Sequence, residues 1–164
     1  MFTQIISNTP KWVFVLFFVL LALGISQMRT QIKSRKRVLI LPIVLLILSI
    51  AGVISAFGIS PIPIAAWSAG YLALAGLMGQ GLAAASSSYD SHSKKLTVAG
   101  SPIPLILMMS IFVLKYFVGA SMAMKVGFTT DAAFPIIISL LYGAFSGAFA
   151  GRALRLMKLI KDPS

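Results

Sequence analysis

Lys115 is a cation set deep in an apolar run, and the chemistry open to this sequence starts with it. It lies 13 residues beyond Pro102. At about 1.5 Å of helical rise per residue, that is roughly 20 Å from one end of its helix and about 12 Å from the other. A charge at such depth costs about 2.5 to 3.5 kcal/mol on insertion scales, so it is expected to face a partner group, a cavity or water. Two readings stay open. In the structural one, the stem snorkels toward the outer headgroups or the amine is held by carbonyls, hydroxyls or an acid. In the functional one, the amine serves a transported solute or a proton. Asp131 is the nearest plausible carboxylate, and Tyr116 and Tyr142 are the candidate polar neighbours. Tyr116 is about 100° around the helix from Lys115, so these two need not share a face.

Other chemistry finds little support. Ser86, Ser87, Ser88, Asp90, Ser91, His92 and Ser93 contain the letters of a Ser-His-Asp triad. A polar stretch of this composition reads as a flexible linker, which supplies neither a strained nucleophile turn nor an ordered oxyanion hole. The chain has no cysteine, three acids and one histidine, which rules out thiolate chemistry and leaves little acid–base chemistry at depth. The expectation is a protein that is not an enzyme, with no catalytic residue, cofactor or metal.

The elements that hold these residues must be membrane helices. Of 164 residues, 59% are hydrophobic and 10% charged, with a mean hydropathy of +0.98, whereas a soluble domain is about a quarter charged. The fold class expected is all-α: one integral membrane domain over 1–164, with five spanning helices near 10–28, 38–57, 61–84, 102–123 and 131–155. Thr9-Pro10 is a helix start, a hydroxyl cap followed by a residue that needs no N–H there. A signal peptide fits less well, because the basic residues follow the first run instead of preceding it. Helices two and three are separated only by Gly58, Ile59 and Ser60, a tight hairpin. The similar stretches Ser60-Pro61-Ile62-Pro63 and Ser101-Pro102-Ile103-Pro104 read as two helix starts in preference to an inverted duplication, since their flanks share nothing more.

Charge sets an expected orientation. Arg29, Lys33, Arg35, Lys36, Arg37, Lys94, Lys95, Arg152, Arg155, Lys158 and Lys161 fall on one side, 11 of the 14 basic residues. Loops 29–37 and 86–100 are therefore expected in the cytoplasm, with the N-terminus outside and the C-terminus inside. The net charge of +11 does not point to nucleic acid, because the basic residues gather at the ends of apolar runs. The expected partners are the lipid bilayer and either another membrane protein or further copies of the same chain.

Small residues mark packing faces. Gly143, Gly147 and Gly151 recur every four residues, with Ser139 extending the row, and such spacing lets another backbone approach. Ser49, Gly52 and Ser55, and Ala66, Gly70 and Ala73, suggest that helices two and three form a close pair. Trp12 and Trp67 read as anchors at the membrane interface.

Four segments carry a resemblance: Thr9-Pro10-Lys11-Trp12-Val13; Arg37-Val38-Leu39-Ile40-Leu41-Pro42; Gly100 to Leu105 with Ile111 to Tyr116; and Leu141 to Gly147 with Arg152. In these the chain resembles a family of small, uncharacterised integral membrane proteins of bacteria, a domain of unknown function. The resemblance implies a bacterial inner membrane and brings no activity. Two function classes follow: a partner or assembly subunit for other membrane proteins, or a small oligomeric transporter or channel in which Lys115 faces a polar cavity.

Overall fold

The computed structural model describes residues 11–33, 35–80, 87–90 and 95–161. Thr9, Pro10 and His92 lie outside them, as does the side chain of Trp12. Among the described residues there are five helices: α1 (Lys11–Ser26), α2 (Arg35–Phe57), α3 (Pro61–Gly79), α4 (Ile103–Ala123) and α5 (Ala133–Lys161). Four are long and apolar enough to cross a membrane, over Val38–Phe57, Pro61–Gly79, Ile103–Ala123 and Ala133–Lys158. The described residues of α1 number 16, fewer than the roughly 20 that a bilayer core needs.

Local sequence explains the ends. Gly58 closes α2 at φ 71°, a left-handed backbone that glycine adopts without strain. Ser60 is extended at φ −120°, ψ 136°, and Pro61 then opens α3. Between α4 and α5 a short 3-10 turn, Gly127–Thr130, carries Phe128 against Phe117 and Phe134, with ring centroids 6.0 and 5.6 Å apart.

The closest helix pair is α3 with α5, and α2 lies across α5. This corrects the expected close pairing of helices two and three, which touch only sparsely despite their three-residue connection. A short hairpin brings two helices near each other, but the smallest side chains decide which surfaces meet, and those lie on α3 and α5. Helix α1 rests on α4, where Phe17 and Phe112 have centroids 5.4 Å apart and Gly24 meets Leu105. Leu45, Met108 and Phe149 join α2, α4 and α5 in one apolar cluster.

The described residues of the 86–100 loop do not form the flexible linker that its composition suggests. Strands β1 (Gln31–Lys33), β2 (Ser88–Asp90) and β3 (Lys95–Val98) form an antiparallel sheet in the order β1-β3-β2. Ile32 pairs with Thr97, and Tyr89 with Leu96. Leu96 and Val98 point inward onto Val38 and Ala153, so a short two-residue period seats the sheet on α2 and α5. The sheet covers the end of the bundle where α1, α3 and α5 finish and α2 and α4 begin. It is tied to α1 by a Ser101 N–H donating to the Gln27 carbonyl at 3.1 Å.

Candidate functional site

On α2, Ser49 and Gly52 are three residues apart and so lie on one face of the helix. Gly52 makes a notch. A Cβ there would lie 3.3 Å from both Cε and Nζ of Lys115 on α4, and 3.7 Å from Cε2 of Tyr142 on α5. The end of the Lys115 side chain thus lies between α2, α4 and α5, beside the Tyr142 ring. Tyr142 belongs to the buried cluster of Val53, Trp67, Val118, Phe134 and Ile138 that unites all four long helices.

Ser49 organises the layer beside this notch. Its hydroxyl donates to the Tyr142 carbonyl at 2.8 Å and accepts the indole N–H of Trp67, also at 2.8 Å. One buried hydroxyl therefore links α2, α3 and α5. Trp67 is 9% exposed and stacks on Tyr71 with centroids 5.4 Å apart, so it is a core residue and not the interface anchor that its position suggests. The correction has a simple cause: tryptophan is amphipathic, and a buried acceptor satisfies its N–H as well as water does. The sequence does carry a clue, since Ser49 shares a helix face with Gly52.

The other sequence candidates are placed elsewhere. Tyr116 stacks with Phe112, the residue that meets Phe17 of α1, so it faces the α1 side of α4. Asp131 is exposed at the end of the bundle opposite the sheet, 11 residues before Tyr142. That separation is roughly 16 Å along a helix. Asp90 lies in β2, and Asp162 falls outside the described residues, so no described carboxylate sits inside a span. Among the described residues no group of His, Asp or Glu converges to hold a metal ion.

Beside the site runs the α3–α5 seam. A Cβ at Gly143 would collide with the Trp67 carbonyl oxygen, one at Gly147 with that of Tyr71, and one at Gly151 with that of Ala75. From the other side, Gly70 meets the Leu140 carbonyl. Ser139 and Ser146, both buried on α5, have hydroxyls without a hydrogen-bond partner.

Compared with models of protein families, the whole chain, residues 1–164, matches DUF6622, described as a family of unknown function. The chain belongs to that family. Neither a curated protein nor a solved structure matches it. Membership in DUF6622 agrees with the resemblance read from the sequence and brings no assigned residue, so the chemistry of the site rests on its geometry.

That geometry offers a cation midway along a candidate span beside a phenol ring, with no described carboxylate within the spans. Such a group suits an anionic solute, or a carboxylate from a neighbouring chain. The notch itself is testable. Gly52→Leu is expected to cost about 1–3 kcal/mol by overfilling the space that Lys115 occupies. Adding Lys115→Ala should recover most of that loss, because the two side chains compete for one volume. Reversible unfolding in mixed micelles measures both, and strictly additive losses would show that the two positions do not share the notch.

Proposed function

We propose that this protein is a five-span bacterial inner-membrane protein, N-terminus outside and C-terminus in the cytoplasm, that serves as a partner or assembly subunit for another membrane protein and is not an enzyme. The fifth span would be α1, and the basic, sheet-bearing end would face the cytoplasm. The observation that carries the subunit reading is where the polar groups of the spans are used. The Ser49 hydroxyl, the Trp67 indole and the Tyr142 carbonyl bind the chain's own helices to one another, and Lys115 fills the Gly52 notch. The outward faces of the spans present Ile43, Ile47, Leu72, Val113 and Ile137. A compact apolar bundle suits docking between helices better than it suits a conduit.

The test is crosslinking in intact membranes, then purification in mild detergent and native mass determination. A different membrane protein retained at fixed stoichiometry is the expected result. Recovery of the chain alone, or only with copies of itself, would overturn the subunit reading and favour a small oligomeric transporter or channel. One observation speaks for that alternative: the Lys115 side chain turns into the bundle. Transport would then require Lys115→Cys to react with water-soluble thiol reagents. Reporter fusions at residue 90 and at the C-terminus check the orientation, and an exported signal from either would reverse it.

A further inference from the structure

At the sheet end, α5 carries two arginines, each with one guanidinium nitrogen buried without a partner. The Nη1 atoms of Arg152 and Arg155 are out of reach of solvent and make no hydrogen bond. Three residues apart, their side chains are neighbours on the helix surface. A guanidinium N–H withdrawn from water loses hydration that nothing in the described chain returns.

Arg152 also lines a half-open cavity of about 40 Å³. Its other walls include Gln27 at the end of α1, Val38 and Pro42 of α2, Val98 of β3 and Pro104 of α4. The enclosed volume holds a few waters or the tip of one oxyanion, and no more. Its depth is set by its neighbours. Gly151 packs on Ala75 and Met78 in the last turn of α3, while α1 has just ended and α4 is just beginning. Val38 and Ile103 begin two of the candidate spans and Gly79 ends a third, so the cavity lies at the end of the spans. Asp90, the described acid of the sheet, already has an interaction of its own.

From the Arg152 guanidinium on its wall, the half-open cavity and its place at the end of the spans, we infer that the Arg152 cavity is a phosphate-oxyanion site that takes the headgroup of an anionic phospholipid. A guanidinium donates to phosphate oxygens through whichever of its N–H groups face the cavity, and the chemistry could be met by a lipid phosphate or a soluble one. The apolar walls of valine and proline and the level of the cavity select the lipid, since a glycerol backbone and acyl chains can continue along those walls. The inference needs the chain to span a membrane but does not rest on the subunit reading.

The test uses the full chain in a mild maltoside detergent, titrated with phosphatidylglycerol or phosphatidylcholine and read by native mass spectrometry. Retention of phosphatidylglycerol over phosphatidylcholine is expected. Arg152→Gln should weaken it about tenfold or more, as for loss of a charged hydrogen bond. Lys158→Gln, at an exposed position on the same helix, should leave it unchanged. If Arg152→Gln does not fold, Arg152→Lys still decides the matter, because it keeps the charge and loses the guanidinium, and several-fold weaker retention is then expected. Equal retention of the two lipids, or unchanged retention in both Arg152 variants, would overturn the proposal. Displacement of phosphatidylglycerol by millimolar inorganic phosphate would overturn the lipid assignment and give the oxyanion site to a soluble phosphate.

Discussion

Replacing Gly147 with leucine is expected to separate α5 from α3 and to leave little folded protein in detergent. A Cβ at this position would overlap the carbonyl oxygen of Tyr71 and lie 2.9 Å from its carbonyl carbon and Cα. These are backbone atoms of a packed helix, so they cannot swing aside as the end of a side chain can. Overpacking of ordinary cores costs about 1–3 kcal/mol, and a clash with backbone belongs at or above the top of that range. Neighbouring Gly143 and Gly151 meet the Trp67 and Ala75 carbonyls in the same register, so moving the helices apart at Gly147 loosens contacts above and below it. A loss of about 3 kcal/mol or more is a large part of a total stability of about 5–15 kcal/mol. The control is Gly119→Ala on α4, where an added Cβ meets nothing within 4 Å and a change below about 0.5 kcal/mol is expected. Unfolding in mixed micelles, followed by circular dichroism, measures both. Gly147→Leu unfolding at the same denaturant fraction as wild type would refute the seam.

Removal of Trp67 is expected to have the second largest effect. Its ring fills the cluster shared by α2, α3, α4 and α5, and truncating a buried tryptophan to alanine costs about 3–5 kcal/mol. Trp67→Phe separates packing from hydrogen bonding. It keeps most of the ring and deletes the N–H that reaches Ser49, while Ser49 goes on donating to the Tyr142 carbonyl. Polar contacts between membrane helices are worth about 0.6 kcal/mol on average, so a loss near 1 kcal/mol is expected. With Trp12 changed to Phe, emission from Trp67 reports the site directly. A spectrum shifted to the blue, unmoved by headgroup-level quenchers, is the signature of a core position. Equal and small losses for both Trp67 variants would instead return the ring to the membrane interface.

The contrast between Trp67 and Gly147 shows where local reading of the chain succeeds. Gly143, Gly147 and Gly151 announce a close approach by spacing alone, because only the absence of side chains permits one. Nothing in their spacing names α3 as the partner, and the three-residue hairpin points to α2 and α3 instead. Trp67 fails differently, since its type suits both an interface and a core with an acceptor. Lys115 is visible at once as a charge in an apolar run. That it turns toward Gly52 and Tyr142 while Asp131 stays at the far end depends on how α4 is rotated, and α4 is too uniformly apolar to mark an inward face. Leu96 and Val98 show the two-residue period of a strand, but too briefly to stand out in a serine-rich stretch. Their partner, Gln31–Lys33, is more than 60 residues away.

By itself, then, the sequence determined that the chain has helices long and apolar enough for a membrane, that its basic residues gather at the ends of those runs, and that one face of α5 admits another backbone. Each of these follows from length, polarity or side-chain size, which are local properties matched against a hydrocarbon layer. Only the tertiary structure decided that α3 meets that face, that Ser49 joins three helices, that the loops pair as a sheet, that Lys115 turns toward Gly52, and that Arg152 lines a cavity under the sheet. In a chain whose helices are apolar on nearly every side, burial cannot choose among faces. The choice falls to a few small and polar residues, and their partners are known only once the helices have come together.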